Sequence, residues 1–313
     1  MKHNLERIKS FFVRLFGKAK DFVCGIPEMI RDPKRRYKVY IAAGAVLIFC
    51  SIAALVVILI NYQRARAKYD SIEVEYTYKV VSMPEKTEHE PEPEPDPEPE
   101  PEELPLTPEV LNKKWGELTG TDFLSFKADW PEAVGWIYFE TQDINYPIMY
   151  SGDNVKYLDT AYDGTYLFAG AIFLDEESTT DFSDPHSLIY GHNMADESMF
   201  GSLRNYLYTP DYYEDRQYFD IFTGEKILRY RIFAYGLIPA NSLIYWTFGP
   251  NPENMQALVD TIISESRIKP EDIEVTADDT IVTLSTCSGD SSTRTVVCAV
   301  LVGENELPEE LFQ

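Results

Sequence analysis

The sequence predicts a mainly β domain, either a barrel or a sandwich, that is attached to a membrane by one apolar helix. Three features lead to this prediction. Short runs rich in β-branched and aromatic residues, separated by turn residues at irregular spacing, fill most of residues 135–302. An uncharged apolar segment covers residues 39–60, and an alternation of acidic residues with proline lies between this segment and the strand-rich region.

The charge and the cysteine content exclude two classes of protein. The chain of 313 residues carries 28 Lys and Arg against 52 Asp and Glu, which gives a net charge of −24. Only 12 of the basic residues follow position 109, whereas a nucleic-acid-binding domain needs many cations to contact phosphates. Four cysteines, at positions 24, 50, 287 and 298, are too few and too scattered for a disulfide scaffold.

Residues 1–38 form a basic segment that we expect to lie in the cytoplasm. They hold 11 basic and 4 acidic side chains. Between Leu5 and Val23, apolar residues recur at helical spacing with basic residues mostly between them. This pattern is typical of an amphipathic helix on an anionic membrane surface, and a helix paired with another protein fits it equally well.

Residues 39–60 are predicted to cross the membrane. A helix of this length spans roughly 33 Å, which matches the hydrocarbon core of a bilayer. The segment is longer than the apolar region of a cleavable signal peptide, and the residues that follow it, NYQR, do not resemble a cleavage site. Because most flanking basic residues precede the segment, the positive-inside rule predicts a cytoplasmic N-terminus and an extracellular remainder.

Residues 61–108 are predicted to be an extracellular linker. Its central part, Glu90–Pro101, reads EPEPEPDPEPEP. This composition offers no apolar surface to bury and favours an extended chain similar to polyproline II. We interpret the segment as a stalk that holds the next domain away from the membrane, and a disordered segment without a mechanical role is the alternative.

Residues 109–313 are long enough to form one domain with its own core. A helix is predicted for Leu111–Asp129, before the strands. Two more are predicted for Ser198–Tyr208 and Pro252–Ser266. The strand-like runs, in chain order, are GWIYFE, INYPIMY, AGAIFLD, SLIYGH, YFDIFT, KILRYRIFAYGLI, TIVTLSTC and RTVVCAVLV.

Cys287 is the candidate nucleophile. It ends the alternating run Thr280–Thr286, precedes a turn-like loop, and lies seven positions before Arg294, whose charge is expected to lower the pKa of a nearby thiol. An inert buried thiol is the alternative, and this interpretation suits Cys298 better, because Cys298 lies inside an apolar run. A disulfide between the two cysteines is disfavoured, since it needs a specific geometry between adjacent strands.

His192 is the candidate partner of Cys287. A nucleophilic cysteine commonly needs an imidazole within hydrogen-bond reach. His192 follows the strand-like Ser187–Tyr190 at a strand end beside a loop, whereas His186 lies in an Asp-Pro turn, where we expect a solvated surface residue. Two His and two Cys without close ligand spacing in this domain predict that it has no metal site.

Motifs in residues 111–302 resemble those of class B sortases. LSTC, which ends at Cys287, is followed by an arginine, and YGHN at Tyr190–Asn193 is followed by MFGSL at Met199–Leu203. The stretch GWIYFETQDINYPIMYSGDNVKYL, at Gly135–Leu158, is similar to the same class. The family comprises cysteine transpeptidases of Gram-positive cell surfaces. The resemblance implies a closed barrel of about eight strands, with an N-terminal helix and another helix inserted before the Cys-bearing strand.

The resemblance also implies a reaction. In the family, the cysteine attacks the threonine carbonyl of a C-terminal sorting signal, with NPxTN-like motifs preferred, and a thioester passes the protein to a cell-wall amine. The expected partners are surface proteins that carry such a signal and an acceptor amine from a peptidoglycan crossbridge or a pilin lysine, with no cofactor. A pilin polymerase with a lysine acceptor and a catalytically silent membrane-tethered binding module are the alternatives.

Residue by residue, the resemblance implies that Cys287 is the nucleophile and that His192 is the general acid and then the base. Arg294 is implied as the cation that binds the oxyanion or the peptide backbone. The interval between Cys287 and Arg294 is shorter than in some members, so this loop departs from the family pattern. Segment 243–248 corresponds to the loop that covers the signal-binding groove. The residues that match groove-lining positions are Asn154, Leu158, Tyr190 and Ser285.

Overall fold

The computed structural model describes residues 36–78, 106–245, 252–287 and 292–305. The chain forms two units, Met1–Ile60 and Asn61–Gln313. Most of the basic N-terminal segment and the alternation of acid with proline lie outside the described residues, so their predicted conformations stay predictions.

The first helix, α1, extends over Arg36–Glu75 and contains the whole predicted membrane segment. Within the described part of the chain, it is the one helix that is long and apolar enough to cross a membrane. None of its most apolar window is buried, whereas the core helix of a soluble protein would be mostly buried. The helix therefore suggests a membrane anchor, and the orientation stays a prediction.

The last part of α1, residues 61–75, belongs to the second unit, and we call it the α1 extension. Apolar residues recur in it at intervals of three and four, so they share one helical face. This face is buried in the main hydrophobic core and consists of Ala65, Tyr69 and Ile72, followed by Tyr76 just beyond the helix.

Because of this packing, the folded unit begins at Asn61, whereas the sequence analysis began the domain at residue 109. The chain remains attached to the unit beyond the helix, because Thr77 forms an isolated β-bridge with Thr121 and the Tyr78 amide donates to the Gly120 carbonyl at 2.8 Å. Packed residues of one unit thus both precede and follow the alternation of acid with proline. The interpretation of that segment as a stalk stays a prediction.

Two short helices replace the single helix predicted for residues 111–129. They are α2, Pro108–Thr119, and α3, Phe123–Asp129. Gly120 ends α2 in a left-handed conformation with φ of 75°, which glycine adopts without a steric penalty. Asp122 then caps α3 by accepting a hydrogen bond from the amide of Ser125.

Eight strands in the described residues close into a barrel, which confirms the implied fold class. Around the barrel the order is β1-β2-β3-β4-β7-β8-β6-β5. Neighbouring strands are antiparallel except for two parallel pairs, β2 with β3 and β4 with β7. The strands are β1 Ala133–Tyr138, β2 Asn145–Met149, β3 Ile172–Leu174, β4 His186–Tyr190, β5 Tyr218–Phe222, β6 Ile227–Pro239, β7 Ile281–Cys287 and β8 Thr293–Glu304.

The two later helices differ in how well they were predicted. Instead of a helix over residues 198–208, the chain forms a 3-10 turn at Gly201–Arg204 and the short α4 at Asn205–Tyr208. Met199 has φ of 54°, which is incompatible with a right-handed helix at that point. The helix inserted before the Cys-bearing strand is present as α5, Pro252–Glu265, and its buried face forms a second apolar cluster with β6 and β8.

His186 is buried, so the expectation of a solvated turn residue is wrong. It is the first residue of β4 and only 2% exposed, and its Nε2 lies 2.9 Å from the Thr283 hydroxyl on β7. Burial lowers the pKa of this imidazole from 6.5 to about 4. The Asp-Pro turn signal applies to the residues before the strand and not to the histidine that starts it.

We predict that His186→Gln weakens the pH dependence of stability between pH 6.5 and about 4. In this window the unfolded wild-type chain binds a proton that the folded chain does not, so its free energy of unfolding falls as the pH falls. Asp220 acts in the opposite direction, because burial raises its pKa to about 6 despite the attraction of Arg229. Asp220 is present in both proteins and cancels in the comparison. Urea unfolding across this range measures both slopes, and equal slopes would contradict the prediction.

We also predict that Ile72→Ala destabilises the Asn61–Gln313 unit by about 2–5 kcal/mol, because the substitution leaves a cavity in the main core. Val74→Ala is the matched control, since Val74 lies on the same helix and is 82% exposed. Its effect is expected to stay within about 0.5 kcal/mol. Urea unfolding of both variants checks the prediction, and equal effects would show that the α1 extension adds nothing to the core.

Candidate active site

The parallel pairing of β4 with β7 brings the strand that leads to His192 next to Cys287. In this pairing Tyr190 lies opposite Ser285, and the Gly191 amide continues the ladder by donating to the Ser285 carbonyl at 3.1 Å. If this register continued for two residues beyond the end of β4, His192 would lie opposite Cys287. Adjacent strands lie about 4.8 Å apart, so residues in this relation are neighbours.

The antiparallel pairing of β7 with β8 brings Arg294 to the other side. The backbones of Cys287 and Arg294 are direct partners in this ladder. For Cys287, the structure describes the backbone only. Arg294 is half-buried, and its Nη1 donates to the Thr293 carbonyl at 2.8 Å. The candidate nucleophile thus ends the middle strand of three, with the strand that precedes His192 on one side and the strand that carries Arg294 on the other.

A cavity of about 230 Å³ opens beside these residues, and we call it the β4–β7 groove. Its lining includes both predicted catalytic side chains that the structure describes and all four predicted substrate-binding residues. The lining residues are Asn154, Leu158, Phe173, Tyr190, Gly191, His192, Ser285, Thr286 and Arg294.

A larger cavity of about 550 Å³ lies between the α1 extension, the β1–β2 connection and residues 196–199. Its lining is rich in carboxylates and includes none of the residues predicted to carry chemistry. Size alone therefore does not locate the active site, and the convergence of His192 and Arg294 on the smaller groove decides between the two cavities.

The hydrogen bond of His192 assigns its neutral tautomer. Nε2 of His192 lies 2.6 Å from the carbonyl oxygen of Leu158. Because a carbonyl can only accept, Nε2 carries the hydrogen, and Nδ1 is the nitrogen with an available lone pair in the neutral ring. Leu158, predicted as a groove residue, therefore also orients the imidazole through its backbone.

Asp175 organises the groove, and the sequence analysis missed it. It follows β3, is only 5% exposed, and its Oδ2 accepts hydrogen bonds from the Asn154 amide and the Tyr190 hydroxyl, each at 2.9 Å. The Asn154 side-chain oxygen accepts from the Glu176 amide at 3.0 Å. Burial, reinforced by the Asp175 charge, raises the pKa of the Tyr190 phenol well above its ordinary value. One buried carboxylate thus fixes two of the predicted substrate-binding side chains.

Tyr245 is a second residue that the sequence analysis did not name as part of the site. It ends a 3-10 turn at Leu243–Tyr245, and its hydroxyl lies 2.8 Å from the Ser285 hydroxyl. These residues begin the segment expected to cover the groove, whose remaining part, residues 246–248, lies outside the described residues. The contact ties the start of that segment to a predicted substrate-binding residue.

Comparisons with known proteins agree with this fold. Sortase B of Listeria monocytogenes is 33% identical over 156 residues, which make up 50% of this chain and 63% of that protein. The crystal structure of sortase B from Bacillus anthracis has a TM-score of 0.53 at 32% identity, covering 58% of this chain and 84% of that one. The Staphylococcus aureus sortase B–substrate complex has a TM-score of 0.55 at 26% identity, covering 62% and 91%.

No protein-family model matches the chain. The closed eight-strand barrel of the described residues is shared with these sortase structures. The relatives show that the chain belongs to the class B sortase family. The chain spans less than two thirds of the Listeria relative's length, so its substrates and partners are matters of proposal.

We predict that Asp175→Asn weakens the binding of an NPxTN-like peptide about tenfold, because an amide cannot replace all the acceptor positions of the carboxylate. Binding is measured by fluorescence anisotropy on a Cys287→Ala background, which separates affinity from turnover. Glu176→Gln removes the same charge from a neighbouring exposed side chain and is expected to bind normally. Equal affinities of the two variants would contradict a role for Asp175 in the groove.

Proposed function

We propose that the chain is a membrane-anchored cysteine transpeptidase that cleaves a C-terminal sorting signal after threonine and transfers the protein to a cell-wall amine. The observation that carries this proposal is the strand pairing that brings the end of β4, two residues before His192, and Arg294 on β8 to the two sides of the strand that ends at Cys287. Family membership supports it, and the S. aureus relative has been solved as a substrate complex. A sorting signal is extended peptide, and the groove beside β4 and β7 suits such a ligand.

In the first half of the proposed reaction, His192 accepts the thiol proton of Cys287, and the sulfur forms a bond to the threonine carbonyl carbon. The carbonyl electron pair moves to oxygen, and the Arg294 guanidinium stabilises the negative charge that develops there. His192 then donates its proton to the leaving amine as the C–N bond breaks. The products are a thioester on Cys287 and the released C-terminal peptide.

In the second half, an amine of the cell wall attacks the thioester. His192 now removes a proton from that amine, the C–S bond breaks, and the leaving Cys287 sulfur takes up that proton from His192. The new amide bond restores the free enzyme and links the surface protein to the acceptor. A peptidoglycan crossbridge is the proposed source of the amine, and a pilin lysine would give the same chemistry with a polymerase outcome.

The second cysteine of the domain is unsuited to this role. Cys298 lies in the middle of β8, is 1% exposed and contacts the Thr283 hydroxyl at 3.4 Å. Burial raises the pKa of its thiol to about 12, so it carries no appreciable thiolate at neutral pH. The nucleophile is therefore assigned to Cys287.

The proposed location is the outer face of the cell membrane. The apolar part of α1 supports a single membrane crossing, and the excess of basic residues before it supports a cytoplasmic N-terminus. With this orientation, the catalytic domain faces the cell wall, where surface proteins and acceptor amines are found.

We predict that Cys287→Ala lowers peptide cleavage by at least about 10³-fold, because the nucleophile is removed. The acyl-enzyme is also expected to disappear from intact-protein mass spectra. Cleavage of an NPxTN-like fluorogenic peptide, with and without an amine acceptor, measures the rate and distinguishes transfer from hydrolysis.

Cys298→Ala is the matched control for the nucleophile assignment and is expected to keep both cleavage and the acyl-enzyme. A folded but inactive Cys298→Ala protein would contradict the assignment. An intact chain that neither cleaves a peptide library nor labels with a thiol probe would favour the silent binding module.

A further inference from the structure

The residues that follow His192 form a closed loop whose backbone is held in an unfavourable conformation. We call residues 193–199 the His loop. Asn193 and Met199 form an isolated bridge that closes it, and the Phe200 amide donates to the His192 carbonyl at 3.0 Å. Glu197 and Met199 have φ of 69° and 54°, although neither is glycine. Such conformations persist only where the surroundings fix them.

The α1 extension supplies part of these surroundings. The Tyr62 hydroxyl accepts a hydrogen bond from the Ala195 amide at 3.2 Å. Arg66 donates from Nε to the Asp196 carboxylate at 3.0 Å and from Nη2 to the Asp196 carbonyl at 3.3 Å. Two side chains that lie four residues apart on the same helix therefore bind two successive residues of the His loop.

The same helix also reaches the loop through an aromatic contact. Tyr69 packs edge to face on Tyr146, with ring centroids 5.3 Å apart. The Tyr146 hydroxyl accepts a hydrogen bond from the amide of Met199, one of the two residues with positive φ. The end of the His loop is thus supported by a residue that itself packs on the α1 extension.

A second loop beside His192 is held by the same helix. Residues 158–170 begin at the carbonyl that binds the His192 ring. At their other end, the buried Tyr69 hydroxyl donates to the Gly170 carbonyl at 2.7 Å, and Lys68 pairs with Asp163 between the two ends. Gly170 has φ of 58°, and a Cβ there would lie 2.3 Å from the Tyr157 carbonyl, so this backbone has little freedom to adjust.

We propose that the α1 extension is a positioning element of the active site, which orients His192 by holding the loops on both sides of it through Tyr62, Arg66 and Tyr69. This inference rests on the proposed function for its effect on catalysis. It assigns a role in the reaction to residues that lie next to the membrane segment in sequence and that the sequence analysis treated as linker.

The test compares Tyr62→Phe/Arg66→Ala with Arg64→Ala in the full chain, purified in detergent. The double variant removes the hydrogen bonds from Tyr62 and Arg66 to the His loop and keeps the Tyr62 ring. Arg64→Ala removes the same type of side chain from an exposed position on the same helix. We expect kcat for an NPxTN-like peptide to fall about 10- to 100-fold in the double variant, with KM nearly unchanged, because a displaced imidazole affects proton transfer more than binding. Arg64→Ala is expected to match the parent chain.

Two further measurements separate positioning from a general loss of structure. Hydrogen exchange is expected to accelerate at residues 196–199 of the double variant, while the thermal midpoint stays close to that of Arg64→Ala. Adding back the charge, as Tyr62→Phe/Arg66→Lys, is expected to restore part of kcat, because lysine can still pair with Asp196.

The inference is overturned if the double variant has the same kcat and the same exchange at residues 196–199 as Arg64→Ala. It is also overturned if kcat falls only in proportion to a lower thermal midpoint. An inactive parent chain would refute the proposed function instead. In that case the exchange comparison still decides whether the α1 extension holds the His loop, and unchanged exchange would overturn the inference.

Discussion

The parallel pairing of β4 with β7 is the constraint on which the rest of the site depends. Parallel strands need a long crossover, so residues that are remote in sequence become neighbours only if the register of this pair is correct. This register matches Tyr190, two residues before His192, with Ser285, two residues before Cys287. A slip of one residue would turn the side chains of one strand to its other face. The antiparallel partner β8 then adds Arg294 on the other side of β7.

Around this pair, buried polar contacts give the groove its shape. Asp175 holds Asn154 and Tyr190, and Ser285 is bonded to Tyr245 on the segment that begins the expected cover. Each contact joins residues from different strands or loops, so the predicted substrate-binding side chains are held in place by the fold itself. Such preorganisation would lower the entropic cost of binding the proposed peptide.

The sequence, together with its resemblance to class B sortases, was sufficient to predict the barrel and the inserted helix. Local signals also suggested the three candidate catalytic positions, which stay predictions. Cys287 and His192 both follow strand-like runs, and Arg294 opens the next one. Asp175 was missed because its partners are fixed by strand pairing, and its own neighbourhood reads only as an acidic turn. His186 was misjudged because the turn before it is a strong signal, whereas its burial comes from β7 across the sheet. The spacing of Ala65, Tyr69 and Ile72 indicated that the α1 extension has a buried helical face. The charged residues between them are instead typical of a linker, which was the prediction made.

The account makes one claim above all, that His192 and Arg294 act on one Cys287 in one site. A double-mutant cycle in kcat/KM, with His192→Ala, Arg294→Ala and the combined variant, tests this claim most directly. Residues that act as a unit lose activity in a strongly non-additive manner. The account predicts that the combined variant is at most about tenfold slower than the slower single variant. If the two losses simply multiply, the residues act independently, and a single site set by the β4–β7 and β7–β8 registers is contradicted.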